Sequence, residues 1–74
     1  MITETEQRIL DTERLTFKHA GAKEQHISRH LGMHPTSYYQ KLRQMVLRTD
    51  VYAHDPRTVA RLRGRLRTVN RGSL

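Results

Sequence analysis

The sequence predicts an all-α fold, a small helical bundle of about four helices containing a helix-turn-helix. Three observations predict it. Apolar residues recur at helical spacing, as at Tyr38, Leu42 and Met45. Helix punctuation falls between such stretches, with Gly32, Pro35 and Pro56 at the joints. No segment alternates apolar and polar residues as a half-buried strand does. At 74 residues the chain reads as one domain, 1–74. Leu, Ile, Val and Phe supply 16 of those residues, enough for one thin core and too few for a large enclosed substrate pocket.

Each element has its own signal. Thr3 and Glu6 form a capping-box pattern ahead of Ile9, Leu10 and Phe17, which predicts a first helix over 4–18. Ala20-Gly21-Ala22 is read as its break, with the glycine at the helix C-terminus. A second helix is expected over 22–31 on Ala22, Ile27 and Leu31, and Gly32 stops it. Pro35 suits a first helical position, which makes His34 the cap of a third helix running to Arg48. Residues 50–53 read as either a helical turn or a loop. Asp55-Pro56 then opens a basic C-terminal helix over 55–69, with Val59, Leu62, Leu66 and Val69 as its stripe. Residues 70–74 are expected to fray.

Charge narrows the function. Fourteen Lys and Arg face seven Asp and Glu, for a net +7, and 11 of the basic residues are Arg. Arg matches phosphate and guanine through planar, bidentate contacts, so nucleic acid is the first partner such a balance suggests. The distribution is uneven. Residues 1–17 set Glu4, Glu6, Asp11 and Glu13 against Arg8 and Arg14 and are net acidic, while the remainder is strongly basic.

Several classes fall away. There is no Cys, which removes disulfides, thiol chemistry and zinc ribbons. No apolar run reaches the roughly 20 residues of a membrane span, and the acidic N-terminus has no secretory core, so a cytoplasmic location and no membrane partner are expected. His26, His30 and His34 recur every fourth residue, but Gly32 interrupts their helix, and no metal or other cofactor is expected. Tyr38 and Tyr39 lack the surrounding groups a tyrosine nucleophile needs, and no phosphate-binding glycine loop or apolar carboxylate pair is present, so no enzymatic activity is expected.

The unit 22–48 carries the functional reading. Gly32 permits a sharp turn, Met33 fills the gap, and Ile27, Leu31, Tyr38 and Leu42 form the seam between two helices. That seam leaves the far face of the second helix free for a major groove. There Gln40 can pair with adenine, Arg43 can reach guanine or phosphate, and Tyr39 can pack on a thymine methyl or a sugar. Thr36 and Ser37 can donate to phosphate near the helix N-terminus. Lys23, Arg29 and Lys41 are expected to neutralise phosphate, as are Arg57, Arg61, Arg63, Arg65 and Arg67 of the C-terminal helix.

Double-stranded DNA is therefore the expected partner. The alternative is a small adaptor that docks on RNA polymerase or another acidic protein. RNA is a third class, though few aromatic residues are present to stack on unpaired bases. The Val59, Leu62, Leu66 and Val69 stripe leaves two arrangements open, a homodimer interface or the last wall of the monomer core.

Ala20 to Gln25 (AGAKEQ), Tyr38-Tyr39-Gln40 with Leu42, Asp55-Pro56 and Arg61-Leu62-Arg63 carry a family likeness. Over residues 4–67 the chain resembles a group of small actinobacterial helix-turn-helix proteins known as a domain of unknown function. The resemblance implies a cytoplasmic, nucleoid-associated DNA-binding protein that bridges or compacts DNA and affects transcription. The helix-turn-helix unit is also similar to the last DNA-binding region of bacterial sigma factors. The chain departs from the family at Leu15 to His19, where tryptophan is usual.

Overall fold

The first helix, α1 (Glu4–Arg14), starts where the capping box places it. Thr3 Oγ accepts from the Glu6 N–H at 3.1 Å, and the Glu6 carboxylate accepts from the Thr3 N–H at 2.9 Å. The computed structural model describes the backbone of residues 1–73 and the side chains of residues 1–65. The inward face of α1 is Glu6, Ile9, Leu10 and Glu13, so carboxylates flank its two apolar residues. The next inward positions fall on exposed Thr16 and half-buried Phe17, neither of which joins the core. The chain accordingly leaves the helix at Leu15, four residues earlier than the expected end at Lys18. Phe17 lies outside α1 and meets the His26 ring edge-on at 5.4 Å.

The second helix corrects the reading of Ala20-Gly21-Ala22 as a break. Here α2 (Ala20–His26) begins at Ala20, and His19 caps it, with Nδ1 accepting from the Ala22 N–H at 3.1 Å. A Cβ on residue 21 would stand 3.2 Å from that Nδ1, so Gly21 makes room for the cap rather than ending α1. From Ile27 to Leu31 the helix widens into a π turn where a regular α-helix is expected. The Gly32 N–H reaches back to the Ile27 carbonyl, and Gly32 itself sits at φ 65°, the left-handed conformation expected of it.

The third helix, α3 (Pro35–Met45), is capped as expected by His34, whose Nδ1 accepts from the Thr36 N–H at 3.2 Å. It ends at Met45, not Arg48. The Arg48 side chain is drawn instead to Glu6 and Asp50, and Arg63 Nε donates to the Val46 carbonyl at 2.6 Å, capping the end of α3. Residues 50–53, left open between turn and loop, belong to a short helix α4 (Thr49–His54). Asp55 closes α4 and opens α5 (Pro56–Ser73), its Oδ1 accepting from the Thr58 N–H at 3.4 Å. With no proline to stop it, α5 continues past Val69 and takes in 70–73 of the segment read as frayed; Leu74 lies outside the described residues.

The result is the expected all-α bundle of about four helices, α1, α2, α3 and α5, with the short α4 as a fifth among the described residues. The core joins Ile9 and Leu10 of α1 to Ile27, to Tyr38, Leu42 and Met45 of α3, and to Val46, Val51, Val59 and Leu62. Leu31 and Met33 pack half-buried against it. The predicted seam is therefore present, with Ile27, Tyr38 and Leu42 buried and Leu31 at its edge. Val59 and Leu62 are buried in the monomer core; the side chains of Leu66 and Val69 lie outside the described residues. Burial of this apolar set is the main favourable contribution to the fold, at roughly 25 cal/mol per Å².

Candidate nucleic-acid interface

The acidic face of α1 decides which basic residues are free. Glu13 is almost wholly buried. Its carboxylate takes a hydrogen bond from the Tyr38 hydroxyl and an ion pair from Lys23 Nζ at 2.8 Å. Burial, with the adjacent Glu13 charge, pushes the Tyr38 hydroxyl far above the usual phenol range, so it remains a donor. Lys23 Nζ also lies 5.8 Å from the Tyr38 ring centroid and 5.5 Å from that of Tyr39. One helical turn-pair earlier, Glu6 receives Lys41 Nζ at 3.1 Å and the Arg48 guanidinium. The Thr3 N–H holds the Glu6 carboxyl down to about 2, helped by Lys41 and Arg48 and opposed by burial. Arg48 also forks onto Asp50, Nε to Oδ1 at 3.0 Å and Nη2 to Oδ2 at 2.6 Å. That fork and the Met1 ammonium hold Asp50 well below the usual carboxylate range.

The expected DNA-binding residues consequently fall into two groups. Lys23 and Lys41 are engaged with buried carboxylates. Arg61 donates to the Glu13 carbonyl at 2.5 Å, and Arg63 is committed to Val46 while its guanidinium lies 4.9 Å from the Tyr52 ring centroid. These four cations bind the helices to one another. Arg29, Arg43, Arg57 and Arg65 are exposed and form no ion pair among the described residues. The Arg67 side chain lies outside the described residues.

The outer face of α3 is the most coherent polar surface. Thr36, Ser37, Tyr39, Gln40 and Arg43 are all exposed, while Tyr38, Leu42 and Met45 anchor the opposite side. An open groove runs along Thr36, Tyr39, Gln40, Arg43 and Gln44. Gln44 was not among the expected site residues, although it lies four positions after Gln40 and the helical period alone places it on that face. Tyr39 is 42% exposed, stands edge-on to Tyr38 at 5.1 Å, and borders a second recess that reaches Arg61 and Arg65 of α5. The outer face of α3 and the arginines of α5 are thus joined through Tyr39.

The histidines have local roles. His19 and His34 cap helices, His54 Nε2 donates to Gln7 Oε1 at 2.6 Å, and the His26 and His30 rings lie 4.4 Å apart. Among the described residues no three side chains form a metal-ligating group. No helix among them is long and apolar enough to cross a membrane.

Comparison with known proteins gives one match. The family described as "Protein of unknown function (DUF3263)" matches residues 1–72, and the chain belongs to it. No curated protein and no solved structure matches the chain.

Proposed function

We propose that this protein binds duplex DNA without catalysing a reaction, as a nucleoid-associated or transcription-regulating protein. One observation carries the reading. The inner face of α3 is fixed by buried Tyr38, Leu42 and Met45, while its outer face presents Thr36, Ser37, Tyr39, Gln40 and Arg43. A rigidly held helix with a donor-rich free face suits a major groove. Gln40 and Arg43 are the base readers in this reading. Thr36 and Ser37 meet phosphate at the start of the helix. Exposed Arg29, Arg57 and Arg65 supply sequence-independent phosphate contacts, and Arg61 adds to them with the donors it does not use on Glu13.

Fluorescence anisotropy with labelled A·T-rich and G·C-rich duplexes over a salt series tests this. Affinity should fall linearly on logarithmic axes, with a slope of roughly 0.9 per phosphate neutralised. Similar curves for the two duplexes indicate a nucleoid-type binder, and separated curves a selective regulator. Absence of binding to both duplexes at low salt would defeat the DNA reading and favour a helical adaptor for an acidic protein.

A further inference from the structure

We propose that the recess on the other side of Tyr39 is a binding site for a small phosphorylated ligand carrying a flat ring, of the nucleoside-phosphate class. It lies where the α1–α2 connection, α3 and α5 converge, and its volume is about 490 Å³. Small-ligand sites commonly have volumes of roughly 300–1,000 Å³. It shares Tyr39 with the Gln40 and Arg43 groove, and its Arg61 and Arg65 are also proposed phosphate contacts, but Leu15, Phe17 and His19 belong to the recess alone, so the two readings are tested by different probes.

The lining divides by chemistry. Leu15, Phe17 and Tyr39 supply apolar and aromatic surface. Leu15 is 52% exposed, held outward where α1 ends, although nothing polar about it calls for solvent. Lys23, Arg61 and Arg65 supply cations. Glu13 is the one carboxylate in the lining, and it is already satisfied by Tyr38 and Lys23. The recess therefore keeps a positive excess on its two arginines. The Arg61 bond to the Glu13 carbonyl steadies its guanidinium, while Arg65 has no ion pair among the described residues. His19 also lines the recess, its Nδ1 accepting from the Ala22 N–H.

Two guanidinium groups match phosphoryl oxygens bidentately, and aromatic faces beside them match a nucleobase. A phosphate in a DNA backbone shares the first property, but it has no use for Leu15 and Phe17. The apolar part of the recess is what favours a free nucleoside phosphate.

The test titrates the full chain with adenosine diphosphate, inorganic phosphate, adenosine and a short duplex, all at about 150 mM salt to screen loose surface contacts. Calorimetry gives affinity, and amide shifts of residues 15–20 give location. Adenosine diphosphate should bind saturably, shift residues 15–20, and exceed phosphate and adenosine by roughly tenfold. Arg65→Ala, at an exposed position, should weaken it by roughly tenfold, and Arg43→Ala should leave it unchanged. Equal affinities for the three small probes would overturn the proposal, as would indifference to Arg65→Ala. Shifts at 15–20 produced by the duplex and not by adenosine diphosphate would also overturn it, by assigning the recess to the nucleic-acid backbone. In that outcome duplex binding through α3 survives, and loss of duplex binding alone leaves the nucleotide site intact.

Discussion

Lys23 and Arg43 are both basic residues of the helix-turn-helix unit, and their surroundings are opposite. Lys23 sits against buried Glu13 and beside two tyrosine rings, whereas Arg43 stands on the open face of α3. The difference does not come from the two side chains. It comes from α1, whose inward face carries Glu6 and Glu13 and so draws Lys23, Lys41 and Arg48 inward. Net charge overstates the charge available to a partner, because part of it is neutralised within the fold. Arg29, Arg43, Arg57 and Arg65 are left exposed and without an ion pair among the described residues.

The strongest way to break this contrast is Glu13→Ala. It removes the partner of Lys23 and of the buried Tyr38 hydroxyl together, and breaking a buried pair costs about 3–5 kcal/mol. Urea unfolding should show a midpoint lowered accordingly. An unchanged midpoint would mean that the acidic face of α1 does not hold the helices.

Acid should separate the two regions next. The Glu6 carboxyl lies at about 2 in the folded chain against an ordinary 4.5. A depressed folded value means that its contribution is complete above 4.5 and is lost as pH falls toward 2. The urea midpoint should decline across that window, and Glu6→Gln should flatten the decline. Persistence of the full slope in Glu6→Gln would assign it to other carboxylates, Asp50 first.

Arg43→Ala sharpens the other side. Stability should stay within about 0.5 kcal/mol, since the residue is exposed and has no ion pair among the described residues. Duplex affinity should fall by about 1–3 kcal/mol if Arg43 reads a base. The smallest effect is expected from His34→Ala, which removes the α3 cap and should cost about 1 kcal/mol of stability. Its duplex affinity at low temperature should be close to that of the parent chain, because no outward charge has changed.

What could be read from the sequence was local. The Thr3 capping box, the turn at Gly32, the His34-Pro35 start of α3 and the Asp55-Pro56 start of α5 each depend on residues within a few positions of one another. The α3 outer face followed from its inner stripe, with Gln44 left out. The roles of Glu6 and Glu13 depend on distant partners: Arg48 is 42 positions from Glu6, and Tyr38 is 25 from Glu13. A carboxylate in a helix is ordinarily read as solvent-facing, so neither burial could be read from α1 itself. The start of α2 was missed because Gly21 fits a helix end as well as a close approach to His19. The π turn was missed because composition does not distinguish a wider helical register from a regular one. Two of the arginines assigned to phosphate, Arg61 and Arg63, contact backbone carbonyls that only the packing of α5 brings near.

Glu13 also bears on how the molecule opens. Its carboxylate holds α2 through Lys23 and α3 through Tyr38, and its carbonyl holds α5 through Arg61. Four helices therefore share one residue, and none of the three that surround α1 can leave without exposing a charge or a polar atom that the others need buried. Such a junction favours cooperative opening over the peeling of single helices. Amide protons on the inner faces of α1, α2 and α3 should then exchange with a common opening free energy, as one foldon with a single point of closure.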